Sequence, residues 1–137
     1  MAVIALVAAD TVRIVGFPVE QLTLPAAEAI TAGMAVKIDV TLGRFTPANG
    51  TSAAEARIWG IATQTVVAGM PVTAVRRGYL DGWDFTALAY DAAVFLSDTD
   101  GRLDTAAGTI STVVGRVISA TGVTLGTVYD KILHITL

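Results

Sequence analysis

The chain contains no cysteine. A disulfide, a thiolate nucleophile and a cysteine-ligated metal are therefore all excluded, and folding in a reducing cytoplasm is possible. Histidine occurs once, at His134, near the end of the sequence and with no serine or cysteine partner suggested by spacing. A general base needs an oriented neighbour, so we expect His134 to pack or to face solvent and not to catalyse.

Charged side chains are also scarce. They make up 15% of the 137 residues, whereas apolar residues make up 53%; an ordinary soluble domain has about 25% charged residues. A disordered chain would show the reverse balance. The formal net charge is −3 and the sequence has no basic cluster beyond the pair Arg76 and Arg77, which argues against a nucleic-acid partner. We interpret this composition as a folded domain with surface buried against other subunits.

No apolar run reaches the roughly 20 residues of a membrane-spanning helix, so we expect no membrane partner. The apolar start, Ala2–Ala9, lacks a preceding basic region and is therefore not expected to be a signal peptide. We predict a strand or extended arm. Either it docks on a partner by adding a strand to an exposed sheet edge, or it is the first strand of the protein's own sheet. The candidate contact residues of this arm are Ala2, Val3, Ile4, Ala5, Leu6 and Val7.

Short β-branched and aromatic runs separated by glycine, proline and aspartate fill the rest of the chain. This pattern predicts a mainly β, small single-domain β-barrel or sandwich-like fold. A strand over Thr11–Phe17 is predicted to end at Pro18. One short helix is predicted at Thr51–Arg57, where a hydroxyl at residue 51 or 52 would cap an alanine-rich segment. Residues 1–23 are expected to form the arm and first strands, and residues 24–137 the β-rich core of one domain.

One pattern occurs twice, as Ala-Gly-Met-x-Val at residues 32–36 and again at 68–72. We interpret it as a turn that leads into a strand and is used twice, although glycine followed by valine is also a common way to enter any strand. Glycine adopts positive φ without steric cost, which suits such turns. The glycines predicted to hold turns or the fold are Gly33, Gly60, Gly69, Gly78, Gly101 and Gly115.

Three groups of polar or aromatic residues suggest chemistry, and each has a plainer interpretation. Asp98–Gly101 resembles the start of a calcium loop, but Leu103 and Thr109 occupy the positions where that loop needs glycine and glutamate. We predict instead a hairpin turn between Val94–Ser97 and Arg102–Asp104. The other candidates are paired carboxylates, from Asp81, Asp84 and Asp91, and a sugar-binding platform, from Trp59, Tyr79, Trp83 and Tyr90.

Each of these aspartates lies next to a glycine, aromatic or alanine residue in a predicted turn, where aspartate usually caps the backbone. The chain has few aromatic residues, and packing explains them more simply than a binding platform does. The sequence offers no set of nucleophile, base and orienting group. We therefore predict that the protein is not an enzyme and has no catalytic residue, cofactor or metal.

A longer run of motifs resembles the small capsid decoration proteins (cement or head-stabilising proteins) of tailed bacteriophages. The motifs that carry the resemblance are Gly60–Ala62, Ala68-Gly69, Val72, Gly78, Val94–Asp98, Gly101, Leu103 and Val114–Val117. Ile30–Gly33 and Val36 fit the same pattern, so the resemblance extends from Leu24 to the end of the chain. The sequence differs from the pattern at Met70, where a polar or acidic residue is usual.

The resemblance implies a structural virion protein that binds the outside of an assembled phage capsid and stabilises it by bridging neighbouring capsid subunits. The implied partners are the major capsid protein and the protein itself, as a homotrimer. The protein would be made in the host cytoplasm and located on the outer surface of the virion. The alternative is another virion module, such as a head fibre base or a tail-associated carbohydrate-binding domain, with Trp83 and Tyr90 exposed on one sheet face.

Overall fold

The computed structural model describes residues 2–7, 11–119 and 131–137. Nine strands and no helix occur in these residues, so the prediction of a mainly β chain is confirmed. The strands are β1 (Arg13–Pro25), β2 (Ala35–Ile38), β3 (Phe45–Pro47), β4 (Gly60–Ala62), β5 (Pro71–Asp81), β6 (Ala93–Leu96), β7 (Leu103–Asp104), β8 (Val113–Ser119) and β9 (Lys131–Thr136).

The strands form one antiparallel sheet that curls into a half-barrel. Its order is β3-β2-β4-β5-β9-β8-β6-β7, and β1 pairs with β5 outside this path. Strand β5 is the centre of the molecule, because β1 follows one of its edges while β4 and β9 share the other. The predicted hairpin is present, with β6 paired to β7 and the Ser97 N–H donating to the Arg102 carbonyl at 2.9 Å.

Both faces of β5 are buried, which explains the high apolar content. On one face, Val72 and Ala74 belong to a smaller core with Ile30, Val36 and Phe45. On the other face, Val75 and Leu80 belong to a larger core that β6, β8 and β9 complete with residues such as Leu96, Val117 and Leu133. The alternation of the side chains shifts between Val75 and Leu80, where Gly78 has a φ of +142°.

The predicted helix at Thr51–Arg57 is wrong, because this segment forms turns. The Ser52 hydroxyl accepts a hydrogen bond from the Glu55 N–H at 3.2 Å, and the Ala56 N–H donates to the Ser52 carbonyl at 2.9 Å. The cap therefore forms as expected, but it closes only one turn. Nucleating a helix is costly, and so short a segment adds too few further hydrogen bonds to offset that cost. No described part of the chain forms a helix long and apolar enough to cross a membrane.

The predicted strand end at Pro18 is also wrong. Strand β1 continues to Pro25, and its register with β5 shifts between Gly16 and Glu20. Proline has no N–H to donate to a ladder, so it is tolerated where the ladder is interrupted. Strand β1 therefore crosses the predicted boundary between the N-terminal part, residues 1–23, and the core, residues 24–137.

The N-terminal arm, residues 2–7, lies between β7 and the segment that follows β5. The Ile4 N–H donates to the Leu103 carbonyl at 2.9 Å, and the Val7 N–H donates to the Gly82 carbonyl at 2.7 Å. The side chain of Ile4 is only 5% exposed and belongs to the larger core. The arm thus contacts two separate parts of the curled sheet through the isolated bridges Val3–Asp104 and Leu6–Trp83, but it is not one of the nine strands.

The repeated pattern forms the same local structure twice. Gly33 has a φ of +90° just before β2, and Gly69 has a φ of +86° just before β5. The segments that precede the two turns pair reciprocally with the turns: the Ala26 N–H donates to the Met70 carbonyl at 2.9 Å, and the Ala62 N–H donates to the Met34 carbonyl at 2.8 Å. The two copies therefore hold each other, and together they enclose the smaller core.

Candidate functional site

An exposed apolar turn joins β2 to β3. We call residues 38–44 the hairpin tip. Its apolar side chains face solvent: Ile38 is 38% exposed, Val40 89% and Leu42 58%. Val40 is the most exposed large apolar side chain in the described part of the chain. Contiguous exposed apolar side chains are characteristic of interaction surfaces.

Backbone and side-chain hydrogen bonds fix the shape of the hairpin tip. The Asp39 carboxylate accepts from the Leu42 N–H at 2.8 Å and from the Thr41 N–H at 2.9 Å. The Asp39 N–H donates to the Arg44 carbonyl at 2.8 Å, and Gly43 closes the turn with a φ of +67°. The N–H groups of Leu42 and then Thr41 lower the pKa of Asp39, because they stabilise its charged form. The tip therefore presents its apolar side chains on an ordered frame.

A second exposed apolar turn directly precedes β5. Val67 is 67% exposed and Met70 is 52% exposed, just before β5. The Ala26 N–H donates to the Met70 carbonyl at 2.9 Å, and the Ala27 N–H donates to the Phe45 carbonyl at 2.8 Å. Residues 26 and 27 therefore connect the second turn to Phe45, which directly follows the hairpin tip. We call the tip and this turn together the apolar end.

A groove of about 770 Å³ lies beside the hairpin tip, between β2 and residues 54–59. Its apolar lining includes Ile38, Val40, Ile58 and Trp59. Lys37 and Glu55 form an ion pair in it, with 3.0 Å between Nζ and Oε2. The groove thus joins the apolar surface of the tip to charged side chains.

Two arginines provide the remaining positive charge of the groove. The guanidinium of Arg76 lies 5.6 Å from the centre of the Trp59 ring, and its Nη1 donates to the Trp59 carbonyl at 3.0 Å. Arg57 is exposed and pairs with no side chain among the described residues. Arg76 is therefore held in place, whereas Arg57 retains its hydrogen-bond donors for another group.

The candidate arm residues, Ala2 to Val7, are placed on the protein's own fold. Backbone bonds to β7 and to residues 82–84 occupy several of their polar groups, including the Ala5 carbonyl, which accepts from the Asp84 N–H at 2.8 Å. Val3 is 43% exposed, whereas Ile4 is buried. The contact of this arm with a capsid stays a prediction.

The six candidate glycines occupy turns and close strand contacts. Gly33, Gly69 and Gly101 lie in turns, and Gly60, Gly78 and Gly115 lie in β4, β5 and β8. Gly60 shows why a side chain is excluded, since a Cβ at this position would lie 2.5 Å from the Val75 carbonyl oxygen. These residues are distributed over the whole sheet and form no common site.

The candidate carboxylates have local structural partners. Asp81 pairs with Arg13 at 3.2 Å, Asp84 accepts from the Thr86 N–H at 3.0 Å, and Asp91 lies 3.6 Å from Arg116. In the hairpin, Asp98 accepts from the Thr109 N–H at 2.9 Å, Asp100 from the Asn49 amide at 2.6 Å, and Asp104 from the Ala2 N–H at 2.9 Å. Within the described residues, no three acidic or histidine side chains are grouped as a metal would require.

The aromatic residues do not form one platform. Trp83 is 2% exposed beside Phe85, so it does not supply the exposed aromatic side chain that the carbohydrate-binding alternative needs. Tyr79 stacks on His134, with ring centres 4.7 Å apart, which places the histidine in a packing contact. Tyr90 is 52% exposed, next to Lys131.

Neither the hairpin tip nor the groove is among the sites predicted from the sequence. The signal for the tip is visible in the sequence, because Ile38, Val40 and Leu42 alternate with polar residues and then meet Gly43. The groove has no sequence signal, since it combines residues from three separate segments. Comparison of the chain with known protein families, curated proteins and solved structures finds no match.

Proposed function

We propose that this chain is a structural virion protein that binds the outside of an assembled phage capsid and stabilises it. Homotrimers would bridge neighbouring subunits of the major capsid protein. The observation that supports the proposal is the apolar end, where Val40, Leu42 and Val67 project into solvent from turns with fixed geometry. In a chain with few charges, such a surface favours a protein partner.

Attachment to a capsid depends on the buried interface area and on the number of contacts made at once, and it needs no catalytic group. A standard protein interface buries about 800 Å² on each partner. A trimer on a symmetric shell presents its contact surface several times, so that modest individual affinities combine into stable attachment. An ordered apolar turn suits this task, because little conformational entropy is lost when it docks.

Cosedimentation with undecorated capsids of the phage that encodes the chain tests the proposal. The wild-type protein should bind, and the double variant Leu42→Asp/Val67→Asp should lose most of its binding while it melts normally. Val113→Asp is the matched control, because Val113 is also exposed, at 43%, but lies in β8 and in neither turn of the apolar end. Absence of wild-type binding would contradict the proposal, as would equal binding by all variants. A major capsid protein gene beside the gene for this chain would further support it.

A further inference from the structure

The groove beside the hairpin tip combines an apolar lining with three cations, Lys37, Arg57 and Arg76, and two carboxylates, Asp39 and Glu55, so its formal charge is +1. Among its charged groups, Lys37 is paired with Glu55, and the Asp39 carboxylate faces the amides of the tip. Arg57 and Arg76 remain directed to the groove without an acidic partner in the described chain. This local positive surface occurs on a chain whose net charge is −3.

The apolar lining complements these charges. Ile38, Val40 and Ile58 line the groove together with Trp59, whose ring carries the Arg76 guanidinium. An occupant that satisfies both kinds of contact must carry carboxylates next to apolar side chains. A polyphosphate or nucleic acid would match only the arginines and would leave the apolar lining without a partner.

We infer that the groove binds an extended polypeptide segment in which acidic residues alternate with apolar ones. Its carboxylate would accept hydrogen bonds from the Arg57 guanidinium, whose planar donors suit a two-point contact. Its apolar side chains would pack on Ile38 and Val40. The inference rests on the proposed function in one respect: the segment would belong to a capsid subunit. The binding chemistry of the groove is tested with peptides and does not depend on where the segment comes from.

Three acetylated and amidated peptides serve as probes: Leu-Asp-Val-Glu-Leu, the charge-reversed Leu-Lys-Val-Lys-Leu, and Gly-Asp-Gly-Glu-Gly, which keeps the acids without the apolar side chains. Trp59 reports binding through its fluorescence, because it lines the groove while Trp83 is buried. The first peptide should give a saturable change that weakens at high salt. The change should disappear in Trp59→Phe, in which isothermal calorimetry still detects the binding.

Arg57→Gln should weaken the first peptide about tenfold, the range expected for loss of a hydrogen bond to a charged group. Arg116→Gln is the matched control and should bind as the wild type does, because Arg116 lies beside Asp91 in another part of the structure. Three results would overturn the inference: no saturable binding at about 1 mM peptide, equal binding of the lysine peptide, or equal binding of the glycine peptide. The last would indicate a simple anion site.

The two proposals fail separately. If the wild-type protein binds the first peptide selectively but does not cosediment with capsids, the groove inference stands and the proposed function fails. If capsids bind the wild type and Arg57→Gln equally and the peptide does not bind, the proposed function stands and the groove inference fails.

Discussion

Ile30 and Val66 form a reciprocal antiparallel bridge. The Ile30 N–H donates to the Val66 carbonyl at 3.0 Å, and the Val66 N–H donates to the Ile30 carbonyl at 2.8 Å. Each residue stands at the same distance in sequence before the glycine of its Ala-Gly-Met-x-Val copy, Gly33 or Gly69. The bridge thus joins equivalent positions and lies at the centre of a local two-fold arrangement.

The spacing in sequence between the two Ala-Gly-Met-x-Val copies also relates the strand pairs on either side of the bridge. Leu24 pairs with Val72, and the equivalent pair is Val36 with Gly60. Both valines of the repeated pattern, Val36 and Val72, are fully buried in the smaller core. The repeat is therefore a packing device, since each copy supplies a strand and a turn that the other copy needs.

Substitution of either valine by alanine should destabilise the protein to a similar extent. Val36→Ala and Val72→Ala each remove buried methyl groups from the same core, so we expect a loss of about 2 kcal/mol in the free energy of unfolding for each. Urea titration followed by circular dichroism measures this. The control, Val113→Ala, removes a partly exposed side chain and should cost under about 1 kcal/mol. A near-zero effect for one of the two valines would contradict their structural equivalence.

The arm should contribute to stability. Ile4→Ala removes a side chain that is 5% exposed in the larger core, and we expect a loss of about 2 to 4 kcal/mol. Val3→Ala is the control, because Val3 is 43% exposed, and its cost should stay under about 1 kcal/mol. Thermal and urea unfolding measure both. If Ile4→Ala unfolds like the wild type but loses capsid attachment, the arm is a docking element instead.

Gly60 should tolerate no side chain. An added Cβ would lie 2.5 Å from the Val75 carbonyl oxygen, which paired strands hold in place. Gly60→Ala should therefore cost about 3 kcal/mol or more. Gly43→Ala is the comparison: its φ is +67° but nothing lies within 4 Å of its added Cβ, so only the left-handed backbone conformation opposes it, at about 1 to 2 kcal/mol. The order of the two melting temperatures checks this, and the reverse order would contradict it.

Much of the fold was predictable because its signals are local. The turn at Asp98–Gly101 and the glycine turns before β2 and β5 depend on residue types that favour those backbone conformations. The wrong predictions came from effects that local sequence does not show. Ser52 caps a turn that is too short to propagate as a helix, and an irregular register with β5 lets β1 pass through Pro18.

The candidate site was less predictable than the fold. Its groove brings Lys37 of β2, Glu55 of a turn and Arg76 of β5 together, and the sequence separation of these residues gives no indication of their contact. The exposed apolar tip was obscured for another reason. Alternating apolar residues usually predict a buried strand face, and only the structure shows that β2 ends at Ile38, so that Val40 and Leu42 lie beyond it.

The hairpin tip should respond to acid. The N–H groups of Leu42 and Thr41 lower the pKa of Asp39 below its ordinary value of 3.8. A lowered folded pKa means that the carboxylate stabilises the tip above the ordinary value, and that this contribution is lost as the pH falls through the folded pKa. NMR titration of Asp39 should give a midpoint below 3.8, with the Leu42 and Thr41 amide signals shifting in the same pH range. Asp39→Asn keeps an oxygen acceptor and should remove that pH dependence. A midpoint at or above the ordinary value would contradict the assignment.

The protein should assemble as a homotrimer. A low charge content and exposed apolar side chains outside the apolar end, such as Val3 at 43% and Tyr90 at 52%, favour self-association. We expect a homotrimer by light scattering after gel filtration at high protein concentration. If the apolar end faces the capsid, Leu42→Asp should keep the trimer mass and lose only attachment. A trimer that dissociates in Leu42→Asp would assign the hairpin tip to the contact between copies. A monomeric mass in solution together with monomeric density on capsids would contradict the trimer.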